Sequence, residues 1–298
     1  AVWPTFAVLC ISGLMTGGAT GLAIIALQRH VGRAAQGVTQ MKEAFSWLSI
    51  APAISNFLGP FMAGLLIDHA GFQWAFAAMA ALPLVAWLWI RQATELPKLI
   101  QPEGYENNSA WDLLNDVMFR RLLLVNWFLS ACWDVHTFVV PILGHERGLS
   151  ASAIGSILGG FAIAAAFIRL MMPMVAARLQ EWQVITGAML ITSFMLGVYP
   201  LMDTAWLMGA CSVLLGLSLG GVQPMVMSTL HQITPEHRHG EALGLRLMGI
   251  NASSVLMPMV FGAAGTVIGI SGVFWCVSAL VGIGSRSAYQ LRVDKKHE

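Results

Sequence analysis

Long apolar stretches run through this sequence and are hard to place anywhere except in a lipid bilayer. A helix needs about 20 mostly apolar residues to cross roughly 30 Å of hydrocarbon. With 57% hydrophobic and only 10% charged residues among 298, the chain has too few polar side chains to cover a water-soluble globule. The sequence predicts nine spans, at residues 4–28, 36–67, 70–91, 120–144, 151–177, 182–201, 204–231, 240–267 and 269–288.

The length and pattern of these stretches favour helices over strands. They are much longer than the ten or so residues of a membrane strand, and they lack its alternation of apolar and polar residues. We therefore predict an all-α fold, a polytopic membrane bundle with about nine transmembrane helices. The four cysteines lie inside apolar runs without CxxC spacing, so the sequence predicts neither a disulfide framework nor a metal site.

Basic residues are distributed unevenly between the predicted loops. If the first span ends inside the cell, only Arg147 falls on the outer side. Positive residues are retained on the cytoplasmic side of short loops, which predicts a multi-pass protein of the cell membrane, a bacterial inner membrane, with its C-terminus in the cytoplasm. The residues on the inner side are Arg29, Arg33, Arg91, Lys98, Arg120, Arg121, Arg178, Arg238, Arg286, Arg292, Lys295 and Lys296.

The longest polar segment divides the spans into three before it and six after it. We predict a remnant of an N-terminal half at residues 1–91, a cytoplasmic linker at 92–119, and a six-helix half with a short tail at 120–298. Within the linker, Ser109 could cap a short helix on the inner membrane surface. An ordinary solvated loop is the alternative.

Glycines repeat between the two parts of the chain. A shift of 203 residues, the separation of Gly13 and Gly216, also superimposes Gly17 on Gly220. Glycines four residues apart make a groove in which another helix can pack closely, so we interpret them as packing residues. Parallel repeats of this kind are a transporter architecture, with the solute site between the halves near the bilayer midplane.

With this repeat and these loops, the chain resembles the major facilitator superfamily, whose members have two six-helix halves joined by a longer cytoplasmic loop. The loops at residues 29–37 and 234–240 resemble the basic loops after helices four and ten. The resemblance implies a major facilitator fold in which the spans correspond to helices 4 to 12 of 12. The counterparts of the first three helices would be missing, so we expect these 298 residues alone to transport poorly.

One segment resembles the glycine-proline motif of drug/proton antiporters. It reads Ser55-x-x-x-Gly59-Pro60-x-x-Ala63-Gly64, with Ser55 and Ala63 where the motif has glycine. The resemblance implies proton-coupled efflux. A packing kink is the alternative, because a Gly-Pro pair is common in bent helices.

Asp134 is the strongest candidate for a functional residue. Asn126, Ser130, Asp134 and Thr137 recur at helical spacing and predict one polar stripe along a water-filled cavity. A carboxyl group in the bilayer is costly, and it could bind a cation or exchange a proton as the protein alternates. The alternative is a structural aspartate held by a neighbouring helix or by Arg169. His136, some 200° around the helix, is predicted to be packed.

Two arginines and a proline bend complete the candidates. Arg169 could snorkel to the interface, pair with an acidic residue, or bind an anionic solute. Arg246 could act in gating or as a cytoplasmic latch. Gln223 precedes Pro224, which frees a backbone carbonyl in mid-helix and could make a bend that touches solute. The resemblance nominates as cavity-lining residues Thr16, Thr20, Asn126, Ser130, Trp133, Asp134, Thr137 and Gln223, with Trp133 stacking a ring-bearing solute.

These observations favour a secondary transporter over other classes of membrane protein. The sequence contains no nucleotide-binding loop of the GxxxxGK[ST] type and no catalytic cluster in the bilayer, so we predict neither a pump nor an enzyme. The predicted partners are a small solute, a coupling proton and the lipid bilayer, with no nucleic acid and no cofactor, for a monomeric protein. A proton-coupled importer of a sugar or other small metabolite, and a non-transporting receptor with the same fold, are the alternatives.

Overall fold

Helices make up almost all of the computed structural model, which describes residues 6–35, 37–52, 54–55, 62, 66, 69, 71–92, 109–175 and 179–292. No strand occurs among these residues. The α-helices are α1 Phe6–Ala34, α2 Val38–Leu48, α3 Phe72–Ile90, α4 Val117–Asp134, α5 Val140–Glu146, α6 Ala151–Val175, α7 Glu181–Val198, α8 Ala205–Gly220, α9 Val222–Ile233 and α10 His239–Tyr289.

Seven helical stretches in the described residues are long and apolar enough to cross a membrane, which confirms the predicted all-α membrane bundle. One of them, Glu236–Tyr289, has 54 residues and contains two predicted spans. It breaks at Gly269, whose φ of 74° falls in the left-handed region that favours glycine. The predicted span 36–67 begins as α2, and much of its second half lies outside the described residues.

The buried core lies mainly in the part of the chain that follows the predicted linker. Its members run from Leu113 to Leu291, with Phe45 of α2 added to them. Helix α10 packs on α4 and α7, α6 packs on α8, and α2 contacts both α6 and α9. Helix α9 also contacts α4 and α7, which joins these helix pairs into one bundle.

Glycine allows α6 and α8 to approach each other closely. A Cβ atom on Gly220 would lie 2.6 Å from the carbonyl oxygen of Ala165, and one on Gly216 would meet the carbonyl oxygen of Phe161. At Gly13 and Gly17, their counterparts in the repeat, a Cβ would meet nothing within 4 Å in the described chain. The close approach brings Arg169 of α6 beside the C-terminal end of α8.

Basic residues from different loops meet at one end of the bundle, which we call the basic end. Arg33 lies 3.5 Å from Glu236, and Arg238 donates a 2.9 Å hydrogen bond to the carbonyl of Ser109. At the opposite end, Arg147 contacts the carbonyl of Pro200 and lies 3.6 Å from Asp203. The predicted inner loops that contain Arg33 and Arg238 thus lie close together, with Ser109 of the predicted linker beside them.

Candidate functional site

A cavity of about 240 Å³ lies among α4, α6, the junction of α8 and α9, and α10. Its wall is partly apolar and carries two charged side chains, Asp134 and Arg169. The lining residues are Asn126, Leu129, Ser130, Trp133, Asp134, Arg169, Leu219, Val222, Gln223, Ile250 and Ser254.

Helix α4 presents a row of polar side chains to this cavity. Asn126, Ser130 and Asp134 follow one another at intervals of four residues, so they share one face of the helix. All three line the cavity, as does Trp133 beside them. The structure therefore brings these sequence-predicted residues together.

The carboxyl group of Asp134 is partly buried and is held by a hydroxyl group. Ser253 of α10, itself 1% exposed, donates a hydrogen bond to Oδ2 of Asp134 across 3.1 Å. Within the described residues no basic group lies within 4.0 Å of this carboxylate. Asp134 is thus a carboxyl group at a cavity, held by a hydroxyl group of a neighbouring helix and, among the described residues, not by Arg169.

The helix changes its pitch directly after Asp134. Residues Val135–Val139 form a π-helical turn, and Pro141 follows it. Because proline has no N–H, the carbonyl four residues before it cannot be bonded in the usual way. π-helical turns of this type are frequent at functional sites.

The structure places Thr137 apart from the other members of the polar row. Thr137 lies in the π-helical turn, is exposed, and is not among the lining residues of the cavity. Its hydroxyl donates to the carbonyl of Trp133 at 3.0 Å. Thr16 and Thr20 on α1 are also exposed and do not line the cavity.

His136 points away from the cavity and is packed, as its position on the helix predicts. It is fully buried and stacks on Phe161 with ring centroids 3.8 Å apart. A ring nitrogen lies 2.9 Å from the hydroxyl of Ser212, which in turn lies 2.8 Å from that of Tyr199. These contacts hold the π-helical turn against α6 and α8.

Arg169 extends into the cavity over the ring of Trp133. Its guanidinium carbon lies 5.5 Å from the Trp133 ring centroid, and Phe161 meets the same ring edge-on at 4.7 Å. The indole that we expected to stack on a solute is therefore engaged with Arg169 and Phe161. No carboxylate among the described residues lies within 4.0 Å of Arg169. Arg169 therefore forms no ion pair with an acidic residue in this part of the chain.

The junction of α8 and α9 explains how Arg169 is held. Pro224 cannot donate to the carbonyl of Gly220, four residues earlier, and Nε of Arg169 donates to that oxygen across 3.4 Å. Gln223, next to the proline, lines the cavity. The helix is interrupted at Gly221, three residues before Pro224, and the proline leaves a carbonyl acceptor for a cavity arginine.

Arg246 lies deeper in the protein on the same face of α10 as two lining residues. Residues 246, 250 and 254 are four residues apart, and Ile250 and Ser254 line the cavity. Arg246 is 1% exposed, and none of its three guanidinium nitrogens has a hydrogen-bond partner among the described residues. It is therefore a buried cation without a partner in the described part of the chain.

A buried ion pair joins three helices at the basic end. Nζ of Lys42 in α2 lies 3.3 Å from Glu181 of α7 and donates to the carbonyl of Leu179 at 2.7 Å. Glu181 also accepts hydrogen bonds from Ser228 and Gln232 of α9, at 3.0 and 2.6 Å. We call Lys42, Glu181, Ser228 and Gln232 the clamp.

The antiporter-like segment is only partly visible. Ser55 is helical and exposed. Gly59, Pro60 and Gly64 lie outside the described residues. Their role stays a prediction.

Comparison with known proteins identifies the family. The sequence profile described as Major Facilitator Superfamily matches residues 122–295. The chain belongs to this superfamily. A search of curated proteins finds no match.

Solved structures of the superfamily have the same fold. The chain is similar to the human organic anion transporter MFSD10 (TETRAN), with 16% identity, a TM-score of 0.69, and coverage of 88% of this chain and 66% of that one. It is similar to a bacterial homologue of the iron transporter ferroportin in an outward-facing state, with 16% identity, a TM-score of 0.69, and coverage of 96% and 71%. It is also similar to the transporter FucP in the outward conformation, with 14% identity, a TM-score of 0.63, and coverage of 89% and 72%. The chain thus spans about two thirds of its first neighbour's length, and at these identities the likeness concerns the fold alone.

The superfamily resemblance predicted part of this site. It nominated Asn126, Ser130, Trp133, Asp134 and Gln223, all of which line the cavity. The apolar lining and the serine that holds Asp134 were not predicted, because hydropathy does not distinguish a cavity wall from a helix interface. The four-residue spacing of 246, 250 and 254 is the signal in the sequence that places Arg246 on the same helix face as the lining residues Ile250 and Ser254.

Proposed function

We propose that this protein is a secondary active transporter that carries a small solute across the bilayer by alternating access, with Asp134 exchanging the coupling proton. The observation that supports this proposal is a carboxyl group in a membrane-spanning helix that faces a cavity and has a serine hydroxyl as its partner. Ionisable groups in the membrane are costly and mark solute and proton paths. A carboxyl group in a cavity takes up or releases a proton as its exposure to water changes.

The clamp supplies a closed gate for such a cycle. We take the basic end as the cytoplasmic side, with the C-terminus there and the protein monomeric in a bacterial inner membrane. Lys42 and Glu181 then join the part before the linker, 1–91, to the six-helix half, 120–298, and close the cytoplasmic side. Two of the similar structures are in outward-facing or outward conformations, and a closed clamp suits such a state. Opening inward would require this ion pair to break.

Export in exchange for protons is the first candidate for the direction of transport. Its support is the resemblance of residues 55–64 to the antiporter motif. Import of a small metabolite together with protons is the second candidate. Two arginines, Arg169 and Arg246, lie at or near the cavity with one carboxylate, Asp134, and this excess of positive charge favours an anionic solute that enters with a proton. A receptor of the same fold would bind solute without flux.

The experiment uses the intact protein in liposomes loaded with the pH-sensitive dye pyranine. Candidate solutes are added outside, and a proton-coupled solute changes the internal pH. The Asp134→Asn protein should lose at least nine tenths of this pH change while still exchanging labelled solute, because a neutral amide can bind but cannot carry the proton. The sign of solute accumulation under an imposed pH gradient separates export from import.

A second variant controls for the loss of a carboxylate. Asp112 is exposed in the short helix Ala110–Asn115 and is not among the lining residues of the cavity, so Asp112→Asn should couple as the parent does. If Asp134→Asn retains full proton coupling, Asp134 has no part in the mechanism. If solute binds but no variant shows flux, the receptor alternative holds.

A further inference from the structure

The balance of charge around the cavity identifies a class of solute, an inference that rests on the proposed transport function. Asp134 and Arg169 line the cavity, and Arg246 lies one helical turn beyond Ile250. With Asp134 ionised, these described residues carry one negative and two positive charges. The clamp adds no net charge, because Lys42 is paired with Glu181.

An uncompensated buried charge is destabilising unless a partner neutralises it. One positive charge is left over among these side chains, and neither arginine has a carboxylate within 4.0 Å in the described part of the chain. We propose that the cavity binds a small organic monoanion whose carboxylate pairs with the guanidinium of Arg169. Arg246 adds positive potential from the basic side of the site.

The setting of Arg169 suits this role. Its one hydrogen bond to the described residues uses Nε, which donates to the carbonyl of Gly220, and the Trp133 ring lies against the guanidinium. The two terminal nitrogens are left to bind an anion in the forked geometry that matches a carboxylate. Both contacts fix the plane of the fork before the solute arrives, which lowers the entropy lost on binding.

The rest of the wall suits an organic body. Leu129, Leu219, Val222 and Ile250 give the cavity apolar surface beside its charged groups. Its volume of about 240 Å³ is several times the roughly 30 Å³ that one water molecule occupies. The cavity can therefore hold a small organic molecule. A compact acid with an apolar or partly apolar skeleton matches both features.

This assignment has a consequence for coupling. Protonation of Asp134 removes the single negative charge at the cavity, so a proton and an anion each favour the binding of the other. The proton and the anion would then cross the membrane in the same direction, as in the second candidate above, import of a small metabolite together with protons.

The test measures binding in detergent and needs no flux. Thermal unfolding of the intact protein is recorded with three matched pairs of an acid and its amide: benzoate and benzamide, nicotinate and nicotinamide, lactate and lactamide. At least one acid should raise the unfolding temperature while its amide does not. For that acid, Arg169→Gln should weaken binding by about ten- to a hundredfold, the value of a charge-assisted hydrogen bond.

Control variants separate charge from folding. Arg120 is exposed on α4, and Arg120→Gln should leave acid binding unchanged. Arg169→Lys keeps the charge but loses the fork, so its affinity should fall by about fivefold, which supplies the test if the glutamine variant is not monodisperse. Equal responses to acids and amides, including no response to either, would overturn the proposal, as would undiminished acid binding in a folded Arg169 variant. Acid binding without proton-coupled flux would leave this inference standing and refute the transport function. Proton-coupled flux of neutral solutes alone would support the transport function and refute this inference.

Discussion

Nε of Arg169 donates a hydrogen bond across 3.4 Å to the carbonyl oxygen of Gly220, the acceptor that Pro224 leaves without its helical donor. The two partners are 51 residues apart in sequence. A proline in one helix thus orients an arginine on another, and the arginine faces the cavity.

Pro224→Ala tests this relationship. Alanine restores an N–H that competes with Arg169 for the carbonyl of Gly220, so the guanidinium should lose its anchor. We expect solute affinity to fall by about 1 kcal/mol, the usual net value of one hydrogen bond, while the unfolding temperature stays the same or rises. Affinity measured by titration in detergent, together with thermal unfolding, checks both parts. Unchanged affinity would mean that the Gly220 contact does not position Arg169.

Ser253→Ala removes the hydroxyl that donates to Asp134 across 3.1 Å. Hydrogen bonds to charged groups contribute about 1.5–3 kcal/mol, so proton-coupled flux in liposomes should fall by roughly tenfold or more. Ser285→Ala on the same helix is the matched control, because within the described residues the Ser285 hydroxyl bonds only the carbonyl of Gly282 in its own helix. Equal flux from the two variants would remove Ser253 from the proton site.

Lys42→Met should destabilise the protein, because it leaves Glu181 charged and partly buried without its cation. Breaking a buried ion pair costs about 3–5 kcal/mol, and we expect the lower end of that range since both side chains keep some exposure, 9% and 16%. The double variant Lys42→Met with Glu181→Met should recover part of the loss. Thermal unfolding of Lys42→Met, Glu181→Met and the double variant gives the coupling energy between the two side chains. If the two single losses of stability simply add in the double variant, the pair does not hold the helices together.

The sequence could predict the elements and one face of the site but not the contacts between helices. Hydropathy and loop charge predict the helices, and spacing predicts that Asn126, Ser130 and Asp134 share a face. The same spacing predicts Thr137 on this face, whereas Thr137 lies in the π-helical turn Val135–Val139 and is not among the lining residues. Ser253 and Asp134 are 119 residues apart, and no local pattern indicates which of several serines on a long helix meets a given carboxylate.

Gly220→Ala should destabilise the protein by overpacking the contact between α6 and α8. The new methyl group would lie 2.6 Å from the carbonyl oxygen of Ala165, which is backbone and cannot move aside cheaply. Overpacking costs about 1–3 kcal/mol. Gly249→Ala is the control, because a Cβ there would meet no described atom within 4 Å. Thermal unfolding compares them, and equal stability would contradict the close helix packing.

Arg246→Met should have the opposite effect to Lys42→Met, although both replace a buried cation with a similar apolar chain. Lys42 has a carboxylate partner, whereas Arg246 is 1% exposed and its nitrogens have no partner among the described residues. Replacing a buried charge with a packed apolar side chain is often stabilising, by roughly 1–4 kcal/mol, so the solute-free protein should unfold at a higher temperature. The same change removes positive potential beside the cavity and should weaken the binding of an organic acid. A large loss of stability instead would mean that Arg246 is paired in the intact protein, and the charge balance that favours an anionic solute would then have to include its partner.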